Sequence, residues 1–257
     1  MGRDGRRYWL DQFPKPVNMV DAADSYGSGD AERLLARLFE GAEGEIHIVS
    51  KAGYVYSNFS KVFGPANQIF KKILQKFWRK TCFRPEYLSR CLHRSLQRLN
   101  RRKLSGFLLH DPPLEVVKDA AVWAELTRLK AEGFTSRIGI SSSKREVLGE
   151  ALAHPALDLL ETPAYLEKAI ELEDIWRQCD RIGVHVIGNH IFRHEYLRNG
   201  KVSHQELAEA TSAMLPPNAT LLCGTRNPAH LAEFARWVEN PMPLPGVEQL
   251  LERTAVA

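Results

Sequence analysis

Short, nearly continuous apolar runs recur along the chain, and most are followed by a stretch in which apolar residues return every three or four positions. The runs are Val17–Ala23, Glu45–Lys51, Gly106–His110, Arg137–Ser141, Leu157–Thr162, Val184–Gly188 and Thr220–Thr225. Apolarity without alternation over such lengths suits strands buried on both faces. The helical stretches between them are Ala31–Phe39, Pro85–Leu99, Val116–Ala131, Lys144–Leu152, Leu166–Asp180 and Ser203–Met214, and Gly41, Gly133 and Gly183 stand at helix ends as stop signals. Strand–helix alternation on this scale predicts a parallel sheet, either closed as a (β/α)8 barrel or open and doubly wound. The glycine-rich dinucleotide fingerprint that would mark the open sheet does not follow the first run. A barrel is the expected fold.

Seven runs stand where a barrel has eight strands. Tyr8-Trp9-Leu10 does not supply the eighth, because only Asp11–Pro16 separates it from the first run and a parallel crossover needs about a dozen residues. The expectation is a single barrel domain over 1–257 that lacks the usual first βα unit. Its open edge is a liability. Three covers are open: Tyr8–Phe13, a second copy of the chain in a homo-oligomer, or none.

Composition narrows the class. At 257 residues and 44% hydrophobic, the chain can bury a large core, which excludes a disordered protein and a disulfide-stapled miniprotein. No apolar run approaches the ~18–20 residues of a membrane span, and Met1–Tyr8 is not followed by a signal-peptide core. Cys82, Cys91, Cys179 and Cys223 lie far apart with no CxxC, as expected of free thiols in a reducing compartment. A soluble cytoplasmic protein is expected. His185, His190, His194 and His204 lack the HxxxH helix spacing of a metal site, so no metal is assigned.

The net charge of +4 conceals an asymmetry. Between Lys61 and Lys103 there are thirteen basic residues and one acid, Glu86, which leaves −8 on the rest. Part of that stretch falls in a long insertion, 52–83, where Ile69, Phe70, Ile73, Leu74, Phe77 and Trp78 recur at helical spacing opposite Lys71, Lys72, Lys76, Arg79 and Lys80. This pattern predicts a basic amphipathic helix. The plain interpretation is a helix over the barrel mouth with solvated charges. The sharper ones are docking of an acidic protein partner or an anionic substrate, or contact with lipid or nucleic acid.

Barrel chemistry sits at the C-terminal ends of the strands. Those positions hold Asp21, with Asp24, Ser25, Tyr26 and Gly27 just beyond, then Lys51, His110, Ser141 and Ser142, and Gly224, Thr225 and Arg226. A tyrosine hydroxyl titrates near ~10, too high to donate readily at neutral pH. A neighbouring ammonium stabilises the tyrosinate, an aspartate holds that ammonium in place, and a histidine can orient the reacting oxygen. Each residue alone is more often an ordinary loop or core group; the four together are much less common by accident.

The string Asp21-Ala22-Ala23-Asp24-Ser25-Tyr26-Gly27 with Glu32-Arg33-Leu34-Leu35 resembles the DTAxxYG…E-LLG signature of the aldo-keto reductases. Val49-Ser50-Lys51, Leu108-Leu109-His110 and Gly139-Ile140-Ser141-Ser142 resemble the family's later strand ends, and Gly224–Glu233 resembles its phosphate-binding stretch. The similarity runs in order from about Val17 to Trp237. It implies an NADPH-dependent reductase of small-molecule carbonyls with Tyr26 as general acid, Lys51 and Asp21 tuning it, and His110 orienting the substrate. Ser141, Ser142, Glu161 and Asn189 fall at the nicotinamide positions. Gly224, Thr225, Arg226, His230 and Glu233 fall at the adenosine-phosphate end, where a guanidinium suits a 2′-phosphate dianion.

Some positions depart from the family pattern. Glu161 replaces the usual Gln, Asn189 an aromatic that stacks on the nicotinamide, Ser142 an Asn, and Phe234 an Asn that contacts adenine. These changes cluster around the cofactor. The alternative function is therefore a redox-inactive or cofactor-independent relative, either an acid–base isomerase or lyase or a binding or structural subunit.

Overall fold

The structure is a computed structural model that describes residues 18–41, 46–55, 80–192, 202–225, 227–239 and 250. The basic amphipathic pattern over 69–80 and Tyr8–Leu10 thus lie outside the described residues, apart from Lys80. The chain divides into two compact units, residues 19–138 and 139–257, the second joined by residues 1–18.

In the first unit, β1 (Met19–Asp21), β2 (His47–Ala52) and β3 (Gly106–His110) are parallel and adjacent in chain order. Val20 faces Ile48 and Asp21 faces Val49 in one ladder, and Lys51 faces Leu108 in the next. Helix α1 (Asp30–Leu38) follows β1 after a tight turn, and α2 (Pro85–Leu99) precedes β3. Pro85 opens α2, where its missing N–H costs nothing. Sequence periodicity suggested one helix after β3, but there are two, α3 (Leu114–Lys118) and α4 (Ala120–Ala131). Asp119 separates them in extended geometry and caps α4 by accepting the Ala121 amide at 2.9 Å. The unit's core joins Phe107, Leu108 and Leu109 of β3 with Leu88, Leu92, Leu99, Trp123 and Leu126 of the helices, all fully buried.

In the second unit, β4 (Ile138–Ser141, whose first residue belongs to the first unit), β5 (Leu159–Pro163), β6 (His185–Asn189) and β7 (Thr220–Leu221) again pair in parallel. Helices α5 (Arg145–Leu152), α6 (Leu166–Ile182), α7 (His204–Met214) and α8 (Pro228–Glu239) accompany them. Ser203 and Glu206 form a capping box at the start of α7, so two amides that the helix leaves open are satisfied by side chains.

The fold is thus of the expected (β/α)8 class, and the described residues hold seven parallel strands, one βα unit short of eight among them. No described helix is long and apolar enough to cross a membrane. The four cysteines are free, as expected.

Candidate active site

The four residues singled out for proton transfer all lie in the first unit. Asp21 ends β1, Lys51 lies at the end of β2 and His110 ends β3, so parallel pairing alone brings three of them to the same end of the sheet. Tyr26 reaches that end through a short turn. The Asp24 amide donates to the Lys51 carbonyl at 3.0 Å, and the Tyr26 amide to the Ala23 carbonyl at 3.1 Å. Beyond Tyr26 the backbone stays left-handed at Gly27, Ser28 and Gly29, which redirects the chain into α1. At Gly29 the φ is +87°, and a Cβ would stand 2.8 Å from Cδ of Arg98, so only glycine fits.

Lys51 is 1% exposed and its ammonium is paired with the Asp21 carboxylate. A buried ammonium needs such a partner, since breaking a buried pair leaves a charge stranded at a cost of about 3–5 kcal/mol. The same ammonium lies 5.8 Å from the centroid of the Tyr26 ring. Tyr26 itself is 42% exposed, so a reactant can reach its ring from solvent. The His110 imidazole packs edge-on to the Tyr26 ring, with centroids 5.8 Å apart and planes at 84°. A buried, charge-balanced cation beside an accessible phenol and an imidazole is suited to moving a proton to a carbonyl oxygen.

Under this cluster lies a polar network that sequence reasoning did not assemble. Glu32 of α1 is fully buried and accepts from Ser50 Oγ at 2.7 Å and from Arg98 Nε at 2.6 Å; Arg98 also donates to Ser95 Oγ at 3.1 Å. The pair fastens α1 to α2 and to the residue before Lys51. Asp24 is buried alongside. Burial pushes its carboxyl up to about 7; Glu32 adds to the rise, while the Cys91 thiol and Arg98 pull against it. Burial, with Asp24 beside it, in turn raises the Cys91 thiol to about 12.

The residues expected around a cofactor belong to the second unit. Ser141 and Ser142 close β4 and are buried; the Ser142 amide donates to the Glu161 carbonyl at 3.0 Å, while its hydroxyl accepts the Lys144 amide at 3.2 Å. Glu161 is 2% exposed and accepts from Asn189 Nδ2 at 2.7 Å, and Asn189 Oδ1 lies 2.6 Å from Nδ1 of His190. Glu161 and Asn189, two of the three departures expected at the nicotinamide positions, are thus bonded to each other.

At the other end, Gly224 and Thr225 lead into α8. The Thr225 hydroxyl accepts the Asn227 amide at 3.0 Å and is 3.4 Å from Nδ1 of His230, and Asn227 Oδ1 accepts the Ala229 amide at 3.0 Å. Glu233 is on α8, half-buried. Arg226 lies outside the described residues. Phe234 is buried against Phe192 and Trp237, with both centroid separations 6.1 Å.

Parallel β/α repeats in this order give the chain the fold of the (β/α)8 barrels. It belongs to the aldo/keto reductase family, an oxidoreductase family whose profile matches residues 13–213. No curated protein sequence matches it. Among solved structures, it is similar to an aldo-keto reductase from Bacillus halodurans in holo form, at 16% identity and a TM-score of 0.72, covering 98% of this chain and 86% of that one. An aldo-keto reductase from Klebsiella pneumoniae in complex with NADPH is 18% identical with a TM-score of 0.61, covering 99% and 86%. At these identities the likeness speaks for the fold.

Proposed function

We propose that this protein is an NADPH-dependent reductase of small-molecule aldehydes or ketones. The observation that carries the proposal is the buried Lys51–Asp21 pair, with its ammonium 5.8 Å from the Tyr26 ring centroid. Tyr26 protonates the carbonyl oxygen, and Lys51 stabilises the tyrosinate that remains. Asp21 keeps Lys51 charged and in place, and His110 orients the carbonyl.

The donor set of the second unit suits the cofactor. Ser141 and Ser142 offer hydroxyls, and the Glu161 carboxylate accepts from an amide such as a carboxamide NH2. Thr225 and the N-terminal end of α8 suit a phosphate, and Arg226 is assigned the 2′-phosphate. NADPH, when bound there, would supply the hydride for reduction of the carbonyl carbon, and Tyr26 the proton for its oxygen.

Titration with NADPH followed by tryptophan fluorescence, with an aldehyde turnover assay, tests the proposal. Saturable binding and turnover are expected, and no binding at millimolar cofactor refutes it. Arg226→Ala is expected to weaken NADPH by about 10- to 100-fold, the worth of a charge-assisted phosphate contact, and NADH far less. Equal weakening of both refutes the 2′-phosphate role.

One observation favours a second reading. The Asn189–Glu161 bond at 2.7 Å ties together two of the four residues assigned to the nicotinamide, as in a relative that has exchanged redox turnover for binding or acid–base chemistry. Turnover of a carbonyl substrate without cofactor would select it.

A further inference from the structure

The geometry points to Tyr54 and Asp111 as positioning residues that together fix the imidazole of His110, an inference that rests on the reductase reading above. His110 is flanked by two rings. Besides Tyr26, the Tyr54 ring meets it edge to face at 4.7 Å between centroids and 80° between planes. An imidazole held between two perpendicular rings cannot turn about its χ2 without giving up both contacts.

Tyr54 is in turn anchored on three sides. Its hydroxyl donates to Oδ2 of Asp111, the residue after His110, at 2.9 Å. Its backbone forms an antiparallel bridge with Thr81, flanked by Val55 N to Lys80 O and Cys82 N to Gly53 O, both 2.8 Å. The Tyr87 hydroxyl donates to its carbonyl at 3.1 Å.

Two backbone features accompany this arrangement. Asp111 adopts φ +48°, a left-handed conformation that is strained for a residue with a side chain and that clusters at functional sites. Gly53 has φ +143°, and a Cβ there would lie 2.3 Å from the Phe83 ring and 3.2 Å from the His110 carbonyl. The chain after Lys51 is thereby pressed against the backbone of His110 just before it delivers the Tyr54 ring. Lys51 and His110 are thus positioned by one continuous piece of structure, with the Tyr54–Asp111 hydrogen bond as its last link.

The test uses Tyr54→Phe, which keeps the ring and removes the bond, with Asp111→Ala and Asp111→Asn, the latter keeping an acceptor oxygen. Tyr54→Phe and Asp111→Ala are each expected to lower kcat about 10-fold or more, as misplacement of a catalytic group does, with the NADPH Kd unchanged. The double variant should fall no further than either single one, because both remove the same link. Asp111→Asn should recover most of what Asp111→Ala loses.

In parallel, the ring NMR signals of His110, assigned with His110→Asn, should shift in Tyr54→Phe and Asp111→Ala with no cofactor present. Additive losses, a change in KM alone, or unmoved His110 signals overturn the inference. Wild-type protein without cofactor-dependent turnover overturns the reductase reading instead, and the NMR arm then still decides whether the pair holds His110.

Discussion

Tyr26→Phe is expected to abolish nearly all carbonyl turnover while leaving the protein folded and NADPH binding intact. General acid catalysis contributes about 10²- to 10⁴-fold, and phenylalanine has no proton to give, so kcat should fall by that amount. The fold should tolerate the change because Tyr26 is 42% exposed and the turn that carries it hangs on backbone bonds, Asp24 N to Lys51 O and Tyr26 N to Ala23 O. Steady-state kinetics with a generic aldehyde, a fluorescence titration with NADPH and a thermal melt check the three parts separately. Full activity in Tyr26→Phe would remove the tyrosine from the mechanism and require another proton donor.

The second large effect concerns stability. Asp24 is fully buried and its carboxyl is raised from an ordinary 3.8 to about 7. A carboxyl whose native pKa lies above its unfolded value binds a proton in the native state that the unfolded chain has already lost. Stability therefore falls as pH rises from about 4 to about 7, and beyond that the full penalty stands. At 1.36 kcal/mol per pKa unit the penalty is roughly 4 kcal/mol.

Asp24→Asn, which cannot ionise and keeps the shape, is expected to be more stable than wild type at pH 8 by about 2–4 kcal/mol. At pH 3 and below, where wild-type Asp24 is protonated in both states, the advantage should vanish. Urea unfolding of both proteins at the two pH values reads the difference directly. A constant offset between them would show that ionisation of Asp24 is not what matters.

Much of this was legible in the sequence because strands with reactive ends leave a linear trace. Leu108-Leu109-His110 is an apolar run closed by a polar residue, and the third strand spans the predicted Gly106–His110. The first strand is shorter than its apolar run, Met19–Asp21 against Val17–Ala23, because hydrophobicity marks burial while the ladder depends on what lies opposite. The break at Asp119 leaves no mark in the apolar pattern, which runs through it on both sides.

The Glu32–Arg98 pair and the Tyr54–Asp111 bond were illegible for a different reason. Their members are 66 and 57 positions apart, and nothing local separates a buried Glu from a solvated one or a tethered Tyr from a surface one. A glutamate four positions beyond a left-handed Gly-Ser turn is a faint pointer to the first pair, and a Gly-Tyr step just after a strand-ending lysine a faint pointer to the second.

The crowding at Gly29 restricts how this protein can change over generations. A side chain at position 29 meets two obstacles, the left-handed φ of +87° and Arg98 Cδ at 2.8 Å, and Arg98 is itself held by the buried Glu32. A smaller residue at 98 removes only the second and strips Glu32 of its cation. Position 29 is thereby held to glycine, and descendants of this sequence should keep it whatever becomes of residue 98.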